Sequence, residues 1–430
     1  MTHNSRSQHT PWLWVPSLYL AQGLPYVAVM TISVVMYKRL GISNTDIALY
    51  TGWLYLPWVI KPLWSPFIDI IRTKRWWTIA MQWSIAVALA GIALTIPAPA
   101  FFQLTLGVFW LMAFASATHD IAADGFYMLA LTEHQQSFFV GIRSTFYRIA
   151  TVTGQGLLVV LAGMIETETE DIPLAWMSVF GLLSAFFLAA AIYHSWALPC
   201  PASDRNTSKT IDTRGVLREF AEVFRSFFRK RHAAAAIAFM LLYRLPEAQL
   251  VKLIIPFLLD RPEDGGLGLS TAEVGIVYGT VGIIGLTLGG IIGGITAAAG
   301  GLKRWLRPMA WSMSLTCLTF VYLSFVSDHP LWMVNLCVFV EQFGYGFGFT
   351  AYMLYLIYYS EGPHKTAHYA ICTGFMALGM MLPGMAAGWL QETIGYRWFF
   401  IWTMICCAAT IGVCAFVKID PKFGCKTTGS

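Results

Sequence analysis

The chain of 430 residues is 57% hydrophobic and 15% aromatic but only 12% charged, with a mean hydropathy of +0.60. Soluble domains carry about 25% charged residues, so this composition excludes a soluble globular protein and implies an integral membrane one. The net charge of +5 does not point to nucleic acid, because the bases sit where a membrane topology puts them.

Hydropathy and breaker residues predict twelve spanning helices, near 12–37, 44–66, 76–97, 102–130, 138–165, 173–196, 233–259, 271–298, 308–327, 331–359, 367–390 and 397–418. A span needs about 20 apolar residues, and these runs are continuous rather than alternating, which argues for helices over barrel strands. The first run is too long and too aromatic for a signal-peptide core and is read as the first span. With the N-terminus inside, the cytoplasmic segments hold 19 of the 28 Lys and Arg residues, among them Arg72, Lys74, Arg75, Lys303, Arg304 and Arg307. The outer loops hold Lys38, Arg39, Arg261 and Arg397 and are otherwise acidic, with Glu166, Glu168, Glu170, Asp171, Glu263 and Asp264. Both termini and the central loop are therefore expected in the cytoplasm. Of the eight cysteines, six (Cys317, Cys337, Cys372, Cys406, Cys407, Cys414) fall in spans, and none forms a Cys-x-x-Cys pair. They read as small buried hydrophobes, with neither a disulfide nor a metal site expected.

The chain repeats itself. GISNTDIALYTG (41–52) returns as GLSTAEVGIVYG (268–279), each with a serine followed three residues later by an acid, the spacing of a helix N-terminal capping box. Leu24-Pro25 is echoed by Leu245-Pro246, and LAGMIET (161–167) by AAGWLQET (386–393). Two six-helix halves are expected, 1–196 and 233–430, joined by a cytoplasmic linker over 197–232. Within that linker, Leu217, Phe220, Val223, Phe224, Phe227 and Phe228 recur at helical spacing between bases, which predicts an amphipathic helix lying on the inner leaflet.

Charges inside spans cost about 2.5–3.5 kcal/mol each on insertion scales, yet this chain keeps Lys61, His119, Asp120, Asp124, Arg143, Arg148, Arg244, Glu247, Lys252 and Glu341. They are expected to face the bundle interior. Asp120 and Asp124 share one helix face, and Arg244 and Glu247 are spaced to pair along one helix. Carboxyls in a partly dry site repel each other and pick up protons more readily, while a nearby base reverses that. Asp120, Asp124, Glu247 and Glu341 are therefore the candidate proton carriers. Gln22-Gly23-Leu24-Pro25 and Leu245-Pro246 predict interruptions in spans one and seven, the places where paired halves build a substrate site. Gln22, Tyr26, Arg148, Tyr243, Arg244 and Gln249 are the candidate solute contacts, and Lys61, Asp69, Arg72 and Arg143 are read as gate or structural residues. His119 fits a core histidine and a proton site equally. No Walker A sequence is present, and no soluble stretch is long enough to hold an ATP site.

Leu63-Trp64-Ser65-Pro66 with Asp69, Asp120-Ile-Ala-Ala-Asp124, Tyr147-Arg148, Tyr243-Arg244 with Glu247, and Glu341 before a glycine-rich stretch form a pattern over about 12–418. It resembles the AmpG-like permeases of the major facilitator superfamily, to which the acetyl-CoA transporters are a related branch. The resemblance implies an all-α membrane protein of twelve helices in two bundles, alternating access, and proton-driven import across a bacterial inner membrane. The implied cargo is an anhydro-muropeptide, a disaccharide-peptide whose carboxylate Arg244 or Arg148 would grip bidentately. Carriers of acetyl-CoA or siderophores share the frame and remain the alternative. His119 before the aspartate pair, and the glycine missing from Asp69-Ile-Ile-Arg-Thr-Lys-Arg, depart from the family pattern. The expected partners are protons, the lipid bilayer and an anionic solute, with no cofactor. An intramembrane enzyme is a distant rival, because His-Asp-x-x-x-Asp is similar to metal-diphosphate motifs, but the second aspartate-rich segment such sites need is missing. A receptor without transport is a further rival.

Overall fold

The computed structural model describes residues 10–201, 204, 213–326, 328–421 and 423. Within its helices a few side chains, that of Asp69 among them, lie outside the described residues. The fold is all-α. In chain order the helices are α1 (Pro11–Val27), α2 (Ser33–Arg39), α3 (Asn44–Trp53), α4 (Leu56–Ile71), α5 (Lys74–Thr95), α6 (Phe101–Ala130), α7 (Glu133–Val152), α8 (Val159–Thr169) and α9 (Ile172–Ala197). There follow α10 (Thr213–Phe228), α11 (Ala233–Leu242), α12 (Leu245–Leu259), α13 (Thr271–Ile276), α14 (Ile283–Gly300), α15 (Leu302–Thr316), α16 (Leu318–Phe325), α17 (Leu331–Ser360) and α18 (Lys365–Phe416). Helices stand at all twelve expected spans, and α18 covers the last two, divided at Gly395, where φ is 79°.

Among the described residues nine helical stretches are long and apolar enough to cross a bilayer, one of them covering both spans of α18. The chain is a multi-pass membrane protein. The second span falls outside that set because α3 and α4 are each too short alone. The tenth does so because tyrosines, glycines, Glu341 and Gln342 dilute the apolar run of α17.

Packing divides the chain into two compact units, one of Met1–Leu40 with Ile60–Val216 and one of Gly41–Val59 with Leu217–Ser430. The sequence-order boundaries expected at 196 and 233 differ from this division chiefly over Gly41–Val59. That segment packs along α18. Asn44 donates to Gln391 (2.7 Å) and to the Tyr396 hydroxyl (2.9 Å), which in turn donates to Asp260 (2.5 Å). Gly388 allows the approach, because a Cβ there would stand 2.0 Å from the Asn44 carbonyl oxygen. Elsewhere in this second unit α14 lies along α17. Gly285, Gly289 and Gly293 recur on one face, and Cβ atoms at the first two would meet the carbonyls of Phe339 and Phe343 at 2.6 and 2.1 Å. Small residues at a four-residue interval are how membrane helices come into backbone contact. In the first unit α5 packs on α6 and α9, and α1 on α7.

Both repeated helix starts are capped. Ser43 accepts from the Asp46 N–H (3.0 Å), and Ser270 forms a full capping box with Glu273. The seventh span is interrupted at Tyr243-Arg244, between α11 and α12. The first span is not broken at Gln22–Pro25 as expected. The helix runs through Pro25 and widens just beyond it into a π-helical turn, Ala28–Ile32. A proline inside a membrane helix removes one N–H, and a local widening re-satisfies the carbonyls without ending the helix.

At α10 part of the apolar stripe finds its partners in protein. Val223 and Phe227 of its apolar stripe are buried against protein in the second unit and Phe224 packs partly on the same cluster, while Phe228 is exposed and the side chains of Leu217 and Phe220 lie outside the described residues. The Phe227 ring stacks on Phe375 at 6.1 Å and meets Tyr359 edge-on at 5.6 Å. Just beyond α10, Lys230 donates to the carbonyls of Tyr359 (2.6 Å) and Glu361 (2.8 Å), capping α17. Partial burial holds this ammonium below the usual lysine pKa. Helical periodicity shows that an apolar stripe exists but not whether lipid or protein covers it.

Candidate functional site

The intramembrane charges form two polar clusters, one inside each unit. In the first, α6 presents Asp120 and Asp124 one turn apart. Asp120 accepts from Gln22 of α1 at Oδ1 and from Lys61 of α4 at Oδ2. Asp124 accepts from the Tyr19 hydroxyl (3.0 Å) and pairs with Arg143 of α7 (3.1 Å). The Arg143 guanidinium also lies over the rings of Tyr19 (4.5 Å) and Tyr127 (5.1 Å). Tyr19 and Gln22 are three apart on α1 and meet carboxylates four apart on α6, so one helix face reads the other. Each carboxylate thus has its own base and its own hydrogen-bond donor from α1. Both ion pairs keep some exposure, with side chains of 21% for Asp120 and 37% for Asp124.

His119 points elsewhere. One residue is 100° of helical rotation, and this turns His119 into a buried chain of four side chains. Gln82 joins His119 (3.0 Å) and His194 (2.9 Å), and His194 reaches Ser17 (2.9 Å). One orientation of the Gln82 amide satisfies both rings as neutral imidazoles, donating to one and accepting from the other. His119 is therefore a hydrogen-bonded core histidine.

In the second unit Arg244 sits at the α11–α12 interruption and Glu247 in the first turn of α12. They form a bidentate pair, Nε to Oε2 at 2.8 Å and Nη2 to Oε1 at 3.1 Å. Arg244 also donates to the Tyr345 hydroxyl (2.7 Å) and lies 4.9 Å over the Phe349 ring. Both charges are buried. Glu341 of α17 is buried too, with its carboxylate accepting from Gln342 (2.8 Å) and no ion pair among the described residues.

Of the expected solute contacts, Gln22 meets Asp120, and Tyr26 is half-buried one turn further along α1. Arg148 is exposed on α7, five residues beyond Arg143. Tyr243 and Gln249 are internal partners of the second unit. The Tyr243 hydroxyl donates to the Gly348 carbonyl (2.9 Å), and Gln249 accepts from the Trp402 indole (2.9 Å) and donates to the Leu245 carbonyl (3.1 Å). Arg72 is exposed between α4 and α5, 5.8 Å over the Trp76 ring.

Lys252, outside the expected site residues, is a further intramembrane base of the second unit. It is buried, donates to Thr51 (2.8 Å) and lies 5.2 Å from the Tyr55 ring centre. Among the described residues it has no ion-pair partner. The signal is in the sequence, since the residues three and four away are Ala248, Gln249, Ile255 and Pro256, none of them acidic.

A polytopic helical bundle that keeps ion pairs within its spans in each of two units fits a solute carrier. The family model of the Major Facilitator Superfamily matches residues 17–307, and the chain belongs to that superfamily. It is 26% identical over 400 residues to the Escherichia coli (strain K12) anhydromuropeptide permease, covering 90% of this chain and 75% of that one. Among solved structures, a nucleoside transporter, NupG, superposes with a TM-score of 0.72 at 15% identity, over 94% of this chain and 99% of that one. A D-xylose–proton symporter gives 0.69 at 13% identity, over 94% and 96%. These structures support the fold, and the permease supports an AmpG-like carrier.

Proposed function

We propose that this protein imports an anhydro-muropeptide across a bacterial inner membrane, in symport with protons and by alternating access, with both termini in the cytoplasm. The observation that carries the reading is the pair of carboxylate sites on α6, where Asp120 and Asp124 each sit between a base and a neutral donor. Such a carboxylate exchanges its base for a proton without losing every partner. The similarity to an anhydromuropeptide permease over 90% of the chain supports the cargo. A sugar-peptide is anionic and rich in hydroxyl and amide groups, and the partly exposed bases Lys61, Arg143 and Arg148 suit it.

Isothermal titration of the purified protein against anhydro-muropeptide, the free anhydro-disaccharide, acetyl-CoA and a ferric siderophore tests the cargo. Heat of binding from the first alone, or from the first two, is the expected result. Binding of acetyl-CoA or the siderophore without either sugar compound would replace the proposed cargo.

A further inference from the structure

We propose that Gln22 is a two-way partner of the Asp120 carboxyl, donating to it when it is ionised and accepting from it when it is protonated. The proposal rests on the reading of Asp120 as a proton carrier. Its starting point is an anomaly. Gln22 is buried, its amide nitrogen donates to Asp120 Oδ1, and its amide oxygen is buried with no hydrogen-bond partner among the described residues. Buried carbonyls without a donor are rare, and each costs about 1–3 kcal/mol. The amide cannot turn over while Asp120 is ionised, because a carboxylate offers only acceptors.

The arrangement makes sense if the missing donor is Asp120 itself. One proton from bulk water binds Oδ1, the carboxyl becomes neutral, and its new O–H needs an acceptor. A half-turn of the Gln22 amide about its terminal torsion brings Oε1 to that position. The amide nitrogen then faces where the orphan oxygen had been, so each protonation state leaves one end of the amide unpaired and the exchange costs no additional hydrogen bond. Lys61, held on the other carboxylate oxygen, keeps its own proton and loses only its counter-charge, and with its side chain 28% exposed it turns to water.

The surroundings leave this exchange to Gln22. Asp124 is engaged by Tyr19 and Arg143 and does not compete for the amide. The Tyr147 phenol and the Arg143 guanidinium of α7 lie within electrostatic reach of Asp120, and Tyr26 stands one turn beyond Gln22 on α1. His119 faces into the Gln82 chain. α1 packs closely on α7 beside Gln22, since a Cβ on neighbouring Gly23 would stand 2.7 Å from the Ala150 Cβ, and the terminal amide torsion is the softest one in the side chain. Asparagine is shorter by one methylene, leucine can neither donate nor accept, and ionised glutamate cannot donate.

Infrared difference spectroscopy on the full-length protein in proteoliposomes, recorded between pH 8 and pH 5 with side-chain 13C-labelled glutamine, tests this. Acidification is expected to raise a carboxylic C=O band that is lost in Asp120→Asn. A simultaneous shift of a glutamine amide band should be lost in both Asp120→Asn and Gln22→Leu. In Gln22→Leu the Asp120 carboxyl band should move to higher frequency, as for an O–H without an acceptor. An Asp120 band unchanged in Gln22→Leu, with no amide shift in the wild type, overturns the proposal while leaving the proton-carrier reading intact. The absence of any band assignable to Asp120 removes the reading and the proposal together. Gln22→Met serves as a second variant should Gln22→Leu fail to fold.

Discussion

The Arg244–Glu247 pair offers a prediction whose size follows from its geometry. Both side chains are buried, and two hydrogen bonds of 2.8 and 3.1 Å join them. Glu247→Ala leaves the guanidinium with neutral company, the Tyr345 hydroxyl and the rings of Phe349, Tyr345 and Tyr352 among it. An uncompensated buried charge of this kind costs about 3–5 kcal/mol, whereas exchanging the whole pair for apolar side chains is close to neutral. Arg244→Met should cost less than Glu247→Ala, because the stranded carboxyl can take a proton but a guanidinium cannot shed one. The double variant Arg244→Met/Glu247→Ala should therefore be more stable than Glu247→Ala alone, with a coupling energy of about 3 kcal/mol. Reversible denaturant unfolding of the four proteins in mixed micelles measures it. Single substitutions that each cost under about 1 kcal/mol and simply add would refute the view of this pair as buried and mutually dependent.

Phe227→Ala removes the ring that α10 buries in the second unit and should cost about 3 kcal/mol, read as a lower melting temperature and protease cleavage within 213–228. If α10 lay on lipid instead, cleavage in detergent would be the same in both proteins. Gly388→Ala places a Cβ 2.0 Å from the Asn44 carbonyl oxygen and should destabilise by about 1–3 kcal/mol. Gly181→Ala, with nothing within 4 Å among the described residues, should be neutral, and equal effects from both would reject the packing of α3 on α18. Lys252→Met replaces a buried amine that has a hydroxyl but, among the described residues, no acid beside it, so the melting temperature should hold or rise. A fall of several degrees would mean that the bond to Thr51 outweighs burial of the charge.

The spans were legible because a membrane helix must satisfy its own backbone and present about 20 apolar residues to lipid, a constraint written locally in the chain. The Arg244–Glu247 pair was legible for the same reason, since three residues on one helix bring the two together. Arg143 was legible as one of the bases open to Asp124, since both lie near the inner ends of their spans, and the two are paired; the Lys61–Asp120 pair was not legible, because it joins two helices whose rotation about their axes the sequence does not state. Tyr243 and Gln249 looked available from composition alone, yet their polar atoms are spent on Gly348, Leu245 and Trp402, partners 4 to 153 residues away. Pro25 misled because its effect on a helix depends on neighbouring helices. The widened turn it precedes lies beside the one at Thr153–Leu158, where Gln155 donates to Thr31 (2.9 Å).

The most direct test of the account is uptake of anhydro-muropeptide into proteoliposomes under an imposed inward proton gradient, with wild type and Asp120→Asn compared. The account predicts accumulation by the wild type that a protonophore abolishes. It predicts no accumulation by Asp120→Asn, although that variant still exchanges solute across a membrane without a gradient. Undiminished gradient-driven accumulation by Asp120→Asn would contradict it.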